Sequence, residues 1–186
     1  MTPVLSLLLP IVVSAVFVFI ASSIIHMATP WHKNDLMKLP DEDGVMKALR
    51  PFNLRPGNYG LPRPGSMADM KSAEFVDKVK AGPVAFMTVL PGWNFSMGGT
   101  LLQWFLYSLV VSLFAGYIAG VAFAPGTEYL RIMQVAGCVA FVGYSMAQLH
   151  ESIWWGRRWS WTIRNVLDGL FYGLLTGGTF GWLWPR

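Results

Sequence analysis

Polar and apolar residues do not mix evenly along this chain; they separate into four long apolar runs and one polar interval. The first run, residues 3–27 (PVLSLLLPIVVSAVFVFIASSIIHM), contains no Lys, Arg, Asp or Glu. A bilayer hydrocarbon core of about 30 Å needs about 20 helical residues, so this run predicts a membrane-crossing helix. Pro10 loosens its first turns, which membrane helices tolerate. The run is too long for a signal-peptide core and no basic segment precedes it, so cleavage is not expected. The second run is 101–124 (LLQWFLYSLVVSLFAGYIAGVAFA), stopped by Pro125 and Gly126; the third is 132–149; the fourth covers about 165–184, up to Pro185. A short turn between the second and third predicts antiparallel neighbours. The expected fold is an all-α membrane protein with four transmembrane helices and a cytoplasmic loop carrying two short helices. Residues 1–28 form the first helix, 29–98 the loop of 70 residues, and 99–186 the other three helices.

Within the fourth run Gly169, Gly173, Gly177 and Gly181 recur at every fourth position. Glycine costs about 1 kcal/mol relative to alanine in a helix in water, so the repetition needs a reason. Residues four apart share one helix face, and in lipid helices associate through close backbone approach rather than the hydrophobic effect. The four glycines therefore predict a helix-packing groove. The second run carries a comparable ladder, Ser108, Ser112, Gly116, Gly120 and Ala124, and the third a looser one, Ala136, Ala140, Gly143 and Ala147. Spans two and four are expected to pack together through these faces. The competing uses are a groove left open for a partner subunit, or a pore lined by Ser108, Ser112 and Thr176.

The polar interval predicts local order of its own. Asp41 suits an N-cap, with Glu42 and Asp43 in the first turn where the helix dipole favours acids, and that helix should end before Pro51. Residues 51–65 hold four prolines and three glycines and should run extended. Ser66, with Asp69 three residues later, marks the start of a second helix reaching Gly82, braced by Glu74 and Lys78. The apolar segment 83–95 is too short to span; an interfacial segment is favoured over a buried strand.

Composition agrees with the pattern and adds an orientation. The 186 residues are 54% hydrophobic and 13% charged, against about 25% charged in soluble domains. Nine Lys/Arg fall in residues 28–98 and three (Arg157, Arg158, Arg164) in the 150–165 connection, leaving Arg131 and Arg186 for the other side. Cations gather on the cytoplasmic side of spans, so both termini are expected outside the cytoplasm. Trp31, Trp93, Trp104, Trp154, Trp155, Trp159 and Trp161 then mark the inner interface, and Trp182 and Trp184 the outer one. A net charge of +4 without any basic run points to anionic lipid beside the loop, not to nucleic acid. The single cysteine, Cys138, excludes an intrachain disulfide and a cysteine-cluster metal site.

Candidate chemistry is confined to few residues. His26 and His150 end the first and third runs at one inner level, Glu151 is adjacent, and Asp168 lies near the start of the fourth. Ionisable groups at membrane depth mark function by default, so His26, His150, Glu151 and Asp168 form a candidate polar cluster for proton or substrate handling. Against this stands interfacial pairing, with Asp168 answered by Arg164 one turn earlier and Glu151 by Arg157 or Arg158. No HxxxH or ExxH pair shares a helix face, so neither a metal site nor a cofactor is expected. Walker, GxSxG and HExxH motifs are absent, and no catalytic residue is assigned.

Two stretches, HKNDLMKLPDEDGVMKALR (32–50) and IWWGRRWSWTIRNVLDGLFYGLLTGGTFGWLWP (153–185), together resemble small, uncharacterised bacterial integral membrane proteins. The resemblance implies a bacterial inner membrane and brings no activity, cofactor or site residue. The expected function is that of a non-enzymatic accessory or scaffold subunit in the lipid bilayer, binding a membrane-protein partner or a second copy of itself. The alternative is a membrane-embedded catalyst or transport component working through the polar cluster.

Overall fold

A computed structural model describes residues 1–92 and 96–186. The chain is mostly helical, with α1 (Leu8–Ser23), α2 (Glu42–Leu49), α3 (Ala73–Ala81), α4 (Met97–Ala122), α5 (Tyr129–Trp155) and α6 (Trp159–Trp182), and two short strands, β1 (Gly57–Leu61) and β2 (Ala85–Val89). They sort into two compact units that ignore chain order: Met1–Met37 with Ser96–Arg186, and Lys38–Phe95.

The first unit is built from the long helices. α1 is entered through a 3-10 turn and left through a π-helical turn at Ile24–Ala28. The continuous stretch Val4–Ala28, α4 and α5 are each long and apolar enough to cross a membrane. α6 is of similar length but, with Arg164, Asp168 and its glycines and threonines, is not among the helices apolar enough to cross. Helix ends differ from the sequence expectation. α5 runs through His150 and Glu151 to Trp155 instead of ending at 149, and stops at Gly156, whose φ of 65° supplies a left-handed cap. α6 follows from Trp159, so the expected 150–165 connection shrinks to residues 156–158.

α1 packs against α4 and α6, and α5 against the same two, closing a ring of four helices. The closest seam joins α5 to α6. A Cβ built on Gly173 would meet Gly137 O at 2.9 Å, and one on Gly177 would meet Gly137 Cα at 2.9 Å as well as the Met133 carbonyl. Gly169 lies against Ser145 and Tyr144, and Gly181 against Tyr129. The α6 ladder therefore faces α5, not α4 as expected. α5 supplies a glycine of its own, Gly137, opposite Gly173 and Gly177, so two backbones close where neither carries bulk. The α4 ladder faces α1 and the first residues. Ser14 Oγ donates to Ser112 Oγ at 3.0 Å, Gly116 meets Ile11 and Phe180, and Thr2 N donates to Gly120 O at 2.7 Å. Ser108, Ser112 and Thr176 are fully enclosed in this packing and line no open pore.

Bulky apolar residues lie on both sides of the helices: Leu7, Val18, Ile132, Tyr172 and Phe180 are buried, and many more face outward. The interior between the helices is rich in Ala, Gly, Ser and Thr, while Leu8, Phe17, Leu106, Phe114, Ile118 and Leu174 are exposed on the outside. Two of the tryptophans expected at the interfaces also pack against the other helices. Trp104 Nε1 donates to Ser22 Oγ at 2.7 Å, its ring against Tyr107, Tyr144 and Tyr172. Trp184 is buried and donates to Ala124 O at 3.1 Å. Both indole N–H groups find acceptors within the bundle, as packed tryptophans need. Trp154, Trp155, Trp159 and Trp182 are exposed, and Trp93 lies outside the described residues.

The second unit is shaped by local caps. Asp41 starts α2 by accepting from Gly44 N at 2.9 Å. α3 starts at Ala73 rather than Ser66, because Ser72 accepts from Phe75 N at 3.2 Å while donating to Asp69 O at 2.7 Å. A serine bonded to its own backbone in this way interrupts a helix. Ser66 caps only a separate turn, accepting from Asp69 N. Segment 83–95, expected to be interfacial, contains β2, paired antiparallel with β1 so that Gly57 faces Val89 and Leu61 faces Ala85. Among the described residues of this unit none is buried.

Candidate functional site

Beyond the π-helical turn the chain folds back so that Trp31, His32 and Asp35 reach α6. His32 stands at the centre. Its Nδ1 lies 2.6 Å from Asp35 Oδ2 and its Nε2 lies 2.7 Å from Asp168 Oδ2. Trp31 Nε1 donates to the other Asp168 oxygen at 3.0 Å. Arg164 Nε donates to Asp35 Oδ1 at 3.1 Å, and its Nη2 donates to the same oxygen. Asp168 is only 6% exposed.

Burial pushes the Asp35 carboxyl up, but hydrogen bonds from His32 and Arg164, with their charges, outweigh it and hold the group below the usual carboxylate value. Ionised carboxylates can only accept hydrogen bonds. One imidazole bonded to two of them therefore needs a proton on each ring nitrogen, or a proton on one carboxyl. With His32 doubly protonated, His32, Arg164, Asp35 and Asp168 sum to zero charge, which suits a group withdrawn from water.

His26 lies over this network. Its ring stacks on His32 with centroids 4.1 Å apart and planes within 6°, and its Nδ1 is 3.0 Å from Ser22 O. One donor atom each from His26, His32 and Asp168 lies within 4.8 Å of the other two. Beside the group opens a cleft of about 780 Å³, with Ile25, Trp31, Leu167 and Phe171 as apolar walls and Arg164 and Asp168 as its charged edge.

Of the four residues expected to cluster, His26 and Asp168 come together and His150 and Glu151 do not. His150 sits beside Trp154, ring centroids 6.5 Å apart, and Glu151 Oε2 lies 3.8 Å from Arg157 Nε. The extension of α5 holds both on its own helical surface, while residues 29–37 supply the groups that meet Asp168. The expected Asp168–Arg164 pair is also replaced: Trp31 and His32 occupy the two oxygens of Asp168, and Arg164 turns to Asp35. Sequence reasoning misses Trp31, His32 and Asp35 as site residues. The available signal is the HKND stretch, a histidine and a carboxylate three apart just past the first span. None of the family models, curated proteins or solved structures compared with this chain matches it.

Proposed function

We propose that this chain is a four-span integral protein of a bacterial inner membrane that acts as an accessory or scaffold subunit. Its two ends then lie outside the cytoplasm and residues 29–98 inside it. The observation that carries the reading is the apolar outer surface of the bundle. Large apolar side chains stand exposed on α1, α4, α5 and α6 alike, whereas soluble monomers rarely expose contiguous apolar patches beyond a few hundred Å²; a lipid bilayer would cover them. α6 counts as the fourth span because its charged groups are answered within the bundle, Arg164 by Asp35 and Asp168 by Trp31 and His32. Satisfied internally, they lower the cost of placing a less apolar helix in the membrane. The accessory role rests on the second unit, whose exposed Phe52, Leu61, Met67 and Leu90 want a covering surface.

Four spans put both ends on one side of the membrane; three put them on opposite sides. Alkaline phosphatase fused at either end should be active and fluorescent-protein fusions at either end dark, whereas a split result removes the fourth span. Extraction of the protein by alkaline carbonate would remove the membrane reading altogether. For the accessory role, native electrophoresis after mild solubilisation should show a defined complex larger than the monomer, lost on deleting residues 38–95; migration as a monomer alone overturns it. A second reading, a catalyst or transport component, is favoured by one observation, the meeting of His26, His32, Asp35 and Asp168 beside the cleft.

A further inference from the structure

We infer that His26, His32 and Asp168 form a binding site for a divalent first-row transition metal ion, at the end of α1 and against the first half of α6. The ligand set is two imidazoles and one carboxylate, a combination that suits zinc and iron(II) and leaves coordination positions free. Three donors within 4.8 Å of one another are close to what such an ion needs: bonds of about 2.0–2.1 Å at tetrahedral angles separate donors by roughly 3.3 Å. His32 and Asp168, at 2.7 Å, have only to open slightly, whereas the His26 ring, stacked parallel on His32, has to turn so that its Nε2 lone pair points at the ion in the plane of its own ring.

The surroundings of the ligands are the second reason. Metal-binding histidines donate their other ring N–H to a carbonyl or carboxylate, which fixes the tautomer and orients the ring. Both histidines have that partner. His26 Nδ1 faces Ser22 O at 3.0 Å, leaving Nε2 as the lone-pair nitrogen; His32 Nδ1 faces Asp35 Oδ2 at 2.6 Å, turning Nε2 toward Asp168. Asp35 is itself held by Arg164, and Trp31 Nε1 steadies the second oxygen of Asp168. Metal entry replaces the proton that joins His32 Nε2 to Asp168 Oδ2, and that proton leaves to solvent. His26 comes from a π-helical turn, a distortion often found at functional sites. Asp168, alone of the three ligands, also lines the cleft, so the site borders it. Sequence reasoning finds no such site because the ligands come from a helix end, a loop and a second helix, with no shared helix face.

The inference goes beyond the proposed function and needs only the bundle, not its topology or partners. The test uses the full chain in mild detergent, without a polyhistidine tag, stripped with chelator and titrated with cobalt(II). Stoichiometric binding with a visible d–d absorption band, reversed by zinc(II), is expected. His26→Ala changes an exposed residue that the bundle does not need for packing, and should abolish the band. Asp35→Asn, a positioning change, should weaken binding by about 10–100-fold with the ligands intact, and His150→Ala should bind as the wild type does. A wild type with no stoichiometric cobalt, His26→Ala binding like wild type, or His150→Ala losing the band each overturns the site. None of these outcomes bears on the number of spans or on assembly, so the two proposals fail separately.

Discussion

Gly177 and Gly178 are neighbours in α6, yet an alanine at each should act in opposite directions. A methyl at Gly177 runs into backbone, namely the Met133 carbonyl, Gly137 Cα at 2.9 Å and Gly137 N at 3.0 Å. Non-bonded carbons settle at about 3.5–4.0 Å, so α6 must retreat from α5 by roughly 0.6–1 Å. No side chain can rotate to relieve the contact. A methyl at Gly178 meets only Tyr129 Oη, at an ordinary 3.4 Å. Overpacking in a tight interior costs about 1–3 kcal/mol, whereas the gain in helix propensity, about 1 kcal/mol for glycine to alanine, is common to both variants and cancels between them. Gly177→Ala should therefore be about 1–3 kcal/mol less stable than Gly178→Ala, and Gly178→Ala at least as stable as wild type. Titration with SDS in mixed micelles, followed by far-UV circular dichroism, reads these free energies directly. Equal unfolding of the two variants would mean that α5 and α6 do not meet backbone to backbone at this level, and the argument for the seam would fail.

Three further outcomes follow from individual contacts. Trp104→Phe keeps most of the ring packing but deletes the N–H donated to Ser22 Oγ at 2.7 Å; it should lose about 0.5–1.5 kcal/mol in the same titration, and no loss would mean the indole contact is idle. Glu151→Gln breaks a pair 3.8 Å apart with both side chains well exposed; it should cost less than about 1 kcal/mol, and a larger loss would give Glu151 a structural role that its surroundings do not supply. Glu74 is held below its usual carboxylate value by the hydrogen bond and charge of Lys78, so this pair supports α3 above that usual value and is lost as pH falls through the lowered one. In Lys78→Met the Glu74 carboxyl, followed by NMR of ¹³C-labelled glutamate, should titrate higher; an unmoved titration refutes the pairing.

Helix content, the apolar segments and the Asp41 cap can be read from pattern alone, because each depends on residues within a turn or two. An apolar run must bond its backbone polar groups within itself wherever water is excluded, and a cap needs only the next few N–H groups. The four-residue glycine spacing likewise announces a close approach, since it concerns one face of one helix. What the glycines approach is another matter. α4 and α5 both offer small faces, and the choice of α5 turned on Gly137 lying opposite Gly173 and Gly177, a meeting between residues about 40 positions apart. The candidate site divides in the same way. Asp168 and His26 stand out by type and depth, but their true companions, His32 and Asp35, lie in a polar interval where nothing local distinguishes a site residue from a solvated one. Only the return of residues 29–37 onto α6 joins them, because burial of Asp168 without a donor would be costly and the donors nearest in space, not in sequence, satisfy it.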